Sequence, residues 1–268
     1  MRAYIKNGIA AASIGALLAT PTVAGADGLR DFVGGPDSRN CYARADVVGS
    51  FYRDPDATYA GPLPLGGVAP RGAVTDEDLD SGFGFDIGFG CGWTRGFRGS
   101  IKDDVIERPG GLRADVTYTL RSDADFQGVP PNAPPVDPIT TDISSHTVMV
   151  NGYWDFGRMS HFQPYVGAGI GLAYVDMDDV TIVNGVDVTF AGNSQWNFAW
   201  QVMAGVGIAL SERATLDIGY RFVSLGDVDT NAAAFQGGAA VGTSILEIDD
   251  IYAHEVKVGI RMSLDGLM

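Results

Sequence analysis

The chain has 268 residues, 33 acids against 18 bases for a formal net charge of −15, 37 glycines and two cysteines. This acidity excludes nucleic acid as a partner, because such binding rests on basic patches, and it excludes simple electrostatic adhesion to anionic lipid. Two cysteines exclude a disulfide-rich scaffold and a four-cysteine zinc site.

Arg2 and Lys6, the apolar run from Gly8 to Ala19 and the small residues Ala24-Gly25-Ala26 spell an export signal, with cleavage expected after Ala26. The run is shorter than the roughly 20 apolar residues of a spanning helix. Cleavage leaves 16 bases against 33 acids. Residues 27–39, with Gly34-Gly35-Pro36, read as a short periplasmic lead-in, and residues 40–268 as one barrel. The exported chain meets an oxidising compartment, where disulfides persist. Gly, Asp, Arg or Pro interrupts every later apolar run, so a membrane-embedded mature protein must cross as a barrel.

Eight segments then alternate with period two, which is the signature of a strand with two unlike faces. The first sets Arg44, Asp46, Val48 and Ser50 against Ala43, Ala45, Val47, Gly49 and Phe51. The second sets Gly84, Asp86, Gly88 and Gly90 against Phe83, Phe85, Ile87 and Phe89. The third sets Arg113, Asp115, Thr117, Thr119 and Arg121 against Leu112, Ala114, Val116, Tyr118 and Leu120. The fourth covers residues 147–156, with Asn151, Tyr153 and Asp155 against Val148, Val150 and Trp154. The fifth sets Gly167, Gly169 and Gly171 against Val166, Ile170 and Leu172. The sixth, residues 198–208, sets Gln201, Met203 and Gly205 against Trp200, Val202 and Val206. The seventh sets Asp217, Gly219 and Arg221 against Leu216, Ile218, Tyr220 and Phe222. The last sets Glu255, Lys257, Gly259 and Arg261 against Val256, Val258, Ile260 and Met262.

The connections between the fourth and fifth segments (157–161) and the sixth and seventh (211–214) are short. The others read as long, which is the pattern of brief periplasmic turns and extended outer loops. Thr94–Gly110 breaks it, since a short turn is expected there. The fold expected is all-β, an eight-stranded antiparallel up-and-down transmembrane barrel.

The placement of the two faces decides the function. A soluble carrier turns the apolar face inward around a ligand, and an outer-membrane barrel turns it outward to lipid. The polar face holds Arg44, Asp46, Asp86, Arg113, Asp115, Arg121, Asp217, Arg221, Glu255, Lys257 and Arg261. Its many glycines make a poor solubilising surface but leave room inside a narrow barrel for long charged side chains. Mixed signs are what an interior demands, because unpaired buried charge costs several kcal/mol or more. Aromatics towards the strand ends (Phe51, Trp93, Tyr118, Trp154, Trp200, Phe222) match an interfacial girdle.

The segments CYARADVVGSFY (41–52), GLRADVTYTL (111–120), QPYVGAGIGLAYV (163–175), FAWQVMAGVGIALSERATLDIGYRFVSLG (198–226) and HEVKVGIRMSL (254–264) resemble the small opacity-type outer-membrane β-barrel proteins of Gram-negative bacteria. The resemblance covers residues 40–264. It implies an eight-stranded outer-membrane barrel with surface loops and no common catalytic activity. It also implies a role as surface antigen, in adhesion or in envelope integrity, and haem binding in some members. Two features depart from the family. Leu264 stands where an aromatic residue usually ends the final strand, and the 94–110 connection is long.

The remaining candidates are few. By parity Cys41 and Cys91 face outward on adjacent strands at the periplasmic rim, where a structural disulfide is within reach. His146, His161 and His254 lack metal-ligand spacing; His146 and His254 are the two candidates for a haem ligand near the outer rim. The acidic stretches 76–80 and 176–179 lack the glycine and terminal glutamate of a calcium loop. No P-loop or G-x-S-x-G occurs, and no His/Ser pair supports acyl transfer. No enzyme activity, metal or cofactor is expected. The expected partners are outer-membrane lipid and lipopolysaccharide, the barrel-insertion machinery, and host or extracellular ligands through the loops of a monomer. The rival readings are a haem or small-ligand receptor on the same barrel and a soluble periplasmic carrier.

Overall fold

A computed structural model of the chain describes residues 39–64, 67–94, 110–133, 137–157, 161–183, 186–211 and 213–264. The expected signal peptide and periplasmic lead-in up to residue 38, the bulk of the 94–110 connection and residues 265–268 lie outside them. In chain order the strands are β1 (Arg39–Tyr52), β2 (Asp56–Pro62), β3 (Val68–Ala73), β4 (Thr75–Leu79), β5 (Gly82–Thr94), β6 (Gly111–Val129) and β7 (Ile139–Asp155). There follow β8 (Phe162–Met177), β9 (Val180–Ile182), β10 (Val188–Phe190), β11 (Asn193–Ala209), β12 (Ala214–Gln236) and β13 (Ala239–Ser263).

Eight of these strands (β1, β5, β6, β7, β8, β11, β12 and β13) form one antiparallel ring, each beside its neighbour in the ring, and β13 closes on β1. Closure leaves no exposed edge within the ring. The five short strands continue the wall at one end, where β2 joins β13, β4 joins β6, and β9 and β10 bridge β7 to β12. At the other end β7 passes to β8 and β11 to β12 through short connections. The two ends are called here the loop end and the turn end.

The ring strands are longer than their alternating segments. β12 and β13 run for 23 and 25 residues. The long connection expected between the seventh and eighth segments is therefore mostly strand, and the turn itself is Gly237-Gly238. Both glycines have positive φ (58° and 84°), as a two-residue type I′ hairpin turn requires. The connection between the third and fourth segments is likewise mostly β6 and β7.

Alternation hid this because it changes sense on the way up. On β12 the inward residues are odd-numbered through Arg221, Val223 and Leu225, then even-numbered at Val228 and Thr230. The register shifts at Gly226, whose φ of +83° suits only glycine. On β6 the inward set passes from Arg121 to Ala124 and Phe126 across another register shift. On β13 it passes from Ile251 to Ile248 and Leu246 at Asp250, where φ is +59°. A bulge adds one residue, and one residue moves every later side chain to the other face.

Candidate functional site

The interior has two levels. At the turn end, polar side chains fill it. Arg44 grips Asp46 with Nε and Nη2 (2.8 and 2.9 Å), a bidentate geometry. Asp115 accepts from the Tyr42 hydroxyl (3.0 Å) and from Asn151 Nδ2 (2.8 Å), and Arg44 Nη1 lies 3.4 Å from it. Arg113 holds Asp155 through Nε and Nη2 (3.2 and 3.1 Å), and its guanidinium stacks 4.2 Å from the Tyr153 ring centre. One layer up, Glu255 accepts from Arg121 Nε (2.7 Å) and from Arg221 Nε. Arg221 also reaches Asp86 (2.9 Å), which Lys257 approaches at 3.5 Å. Arg261 lies 3.5 Å from Asp217 nearer the turn end.

All eleven residues of the polar face are thus buried inside the ring. They comprise six cations and five anions. Asp155, buried against Arg113, makes the balance even. It stood on the inward parity of its strand, so alternation alone marked it. Its role needed the cross-strand contact. Tyr42, Tyr153, Tyr165, Asn151 and Gln201 complete the packing and carry no charge to single them out.

Glycines opposite these groups supply the room. A Cβ on Gly169 would meet Asn151 Oδ1 at 2.0 Å, on Gly259 would meet Asp46 Oδ1 at 2.2 Å, and on Gly205 would meet the Tyr165 ring at 2.6 Å.

Above the charged layers the interior becomes an apolar core. Tyr59, Phe126, Ile139, Val175, Ile182, Phe190, Val223, Leu246 and Ile248 are among its buried members. The outside changes in the opposite sense. Around the charged layers it is apolar, with Phe85, Ile87, Val150, Ile170 and Phe198 all more than half exposed. The outward apolar run on β6, Leu112 to Leu120, spans nine residues, within the about 9–11 that a tilted strand needs to cross a bilayer. Its upper boundary is aromatic: Tyr118, His146, Tyr174 and Trp196 contact in a row across β6, β7, β8 and β11. Trp200, Phe222, Tyr252 and His254 continue the row. Beyond it, residues 53–81, 122–144, 176–195 and 223–251 hold nineteen acids and two bases, Arg53 and Arg71. No helix among the described residues is long and apolar enough to cross a membrane.

An apolar belt outside a charge-neutral, packed interior is the construction of a barrel in lipid. The outer membrane protein beta-barrel domain model matches residues 52–241. The chain belongs to that family. The soluble-carrier reading fails with it, and the chain is an outer-membrane barrel. PagN, an outer membrane protein of Salmonella typhimurium, is 30% identical over 139 residues, half of this chain; the match spans 57% of PagN. An uncharacterised Brucella abortus protein is 26% identical over 212 residues, 74% of each chain. Among solved structures, OprG of Pseudomonas aeruginosa is 16% identical, covering 84% of this chain and 96% of its own, with a TM-score of 0.47.

The histidines take girdle positions. His146 Nδ1 lies 3.3 Å from the Tyr118 hydroxyl and His254 Nδ1 lies 2.6 Å from that of Tyr220. They stand on β7 and β13, four strands apart in the ring, and so do not converge on one ligand. Among the described residues no group of three or more His, Cys, Asp or Glu could hold a metal ion. Cys41 and Cys91 lie directly opposite each other on β1 and β5 and are joined, S–S 2.06 Å.

The acids of the loop end repel one another. Asp125 and Asp142 are direct cross-strand partners, and a hydrogen bond between them raises the Asp142 carboxyl above its ordinary range. Asp178 is raised by burial and by Asp176, and Asp249 by burial and by Asp227. A raised carboxyl keeps its proton in the folded state where the unfolded chain has lost it. The wall at the loop end should therefore lose stability as pH rises above about 4. Proteolysis of the purified barrel at low salt is the check: cleavage of the loop end should be slower at acidic than at neutral pH, with a membrane-embedded fragment protected at both.

Proposed function

We propose that this chain is a non-catalytic, closed outer-membrane barrel that raises a rigid acidic turret above the lipid, and that its biological contacts are made by that turret. The observation that carries this reading is the double inversion: one set of strands is apolar outside and charged inside across the bilayer, then charged outside and apolar inside beyond it. The lower half is built to stay in lipid and the upper half to stand in water. The ion-paired lumen leaves little free passage at eight strands, so transport is not its task. In this reading lipid and lipopolysaccharide surround the girdle of a monomer, the insertion machinery places it, and host or other extracellular ligands meet the loop end. The signal ends at Ala26, and the lead-in stays in the periplasm.

An epitope inserted between Gly237 and Gly238 tests this, since a Cβ at either glycine meets nothing within 4 Å. The tagged protein should fractionate with the outer membrane and bind antibody on intact cells, and the untagged barrel should give no large stable conductance in planar bilayers. Recovery in the soluble periplasm, or a tag masked until cells are broken, overturns the reading.

A further inference from the structure

The first strand sits in a register that sets like charges opposite each other on both sides. On one side Arg44 lies opposite Arg261 of β13; on the other Asp46 lies opposite Asp86 of β5. Like charges directly opposite each other destabilise a strand pair. A slip of β1 by two residues would cure both faults. It would set Arg44 opposite Asp86 and Asp46 opposite Lys257, by the same counting of partners.

Little else in the pairing of β1 with β5 resists that slip. Two residues preserve the alternation, so inward side chains stay inward. On the outside, Ala43, Ala45 and Val47 face Phe89, Ile87 and Phe85 in the native register. They would face Ile87, Phe85 and Phe83 after the slip, small against large in both cases. On the inside Gly90 and Gly88 of β5 leave the room that Tyr42 and Arg44 take in the native register; after the slip Tyr42 would face Gly88 and Arg44 would face Asp86. Gly-rich strands specify register weakly. Two contacts that favour the native register are with β13, which docks last: Ser50 donates to Glu255 directly opposite (3.1 Å), and Gly259 leaves room for Asp46. The others are distant: Tyr42 and Arg44 reach Asp115 on β6, and Arg44 reaches Tyr153 on β7. Those partners are in place only once the wall has curled round.

We infer that the Cys41–Cys91 disulfide is a register lock, which fixes β1 against β5 before the barrel closes and makes correct assembly depend on prior oxidation. The bond joins directly paired residues, and the slip would move Cys41 opposite Phe89, out of disulfide reach of Cys91. It also lies at the seam: the Leu264 amide donates to the Cys41 carbonyl at 2.9 Å, where the last strand docks on the first.

The test uses the Cys41→Ser/Cys91→Ser chain with new cysteine pairs, assembled into lipid under reductant and oxidised afterwards. Ala45→Cys with Ile87→Cys reports the native register, and Ala45→Cys with Phe85→Cys reports the slipped one. Comparable cross-linking of the two pairs is expected. Cross-linking confined to the native pair in a fully assembled barrel overturns the lock. If the serine chain does not assemble, the Ala45→Cys/Ile87→Cys pair oxidised beforehand should restore heat-modifiable barrel. Failure of that relocated native-register bond to do so also overturns it.

Discussion

Replacing Arg221 with methionine should destabilise the barrel by about 3–5 kcal/mol, the usual cost of removing one partner from a buried ion pair. Arg221 is wholly buried and bridges Asp86 and Glu255, so its loss leaves two carboxylates short of a cation in a lumen otherwise balanced in charge. Arg121 still holds Glu255 and Lys257 still faces Asp86, which places the expected cost nearer the lower bound. Urea unfolding of the lipid-inserted barrel, followed by tryptophan fluorescence, measures it. The double variant Arg221→Met/Asp86→Asn restores neutrality and should cost less than the sum of its single changes, because the two groups share one interaction. Additive losses would mean that Arg221 matters for its volume and not for its charge.

The second large effect lies outside the bilayer. Phe126 is fully buried in the apolar core of the turret, beyond the bulge that turned its strand over. Its truncation to alanine should cost about 3–5 kcal/mol if the wall keeps its shape, as for other buried aromatics. The damage should be local. Protease added to intact cells should cut the Phe126→Ala turret within residues 53–81 or 122–144, while the heat-modifiable membrane part persists. The outward Phe85, more than half exposed to the bilayer side, should tolerate alanine with little change in either readout. Equal protease resistance of Phe126→Ala and the parent chain would show that the loop end does not depend on its apolar interior.

These two residues also mark what divides local from long-range information. Arg221 was legible as an interior charge because strand parity is a property of neighbouring residues, and Asp217, Gly219 and Arg221 repeat on one face. The same parity placed Cys41 and Cys91 outward at one rim, and the apolar face against lipid. Phe126 was not legible, since the register shift between Arg121 and Ala124 ends the alternation that would have continued the strand. Val228, Leu246 and Ile248 were missed for the same reason, and their segments read as loop. The change of solvent adds to the effect: past the girdle, a strand must turn its apolar face from lipid to core.

By itself, then, the sequence determined the class of fold, the number of ring strands, the inward and outward faces across the membrane and the acidity of the loop end, because each follows from composition or from a period of two. Only the tertiary structure decided the length of the strands, the apolar turret core, the part of Asp155 as the sixth anion that balances six cations, and the register of β1. Those depend on which residue of another strand stands opposite. A bulge or a two-residue slip changes that while leaving the local pattern almost untouched.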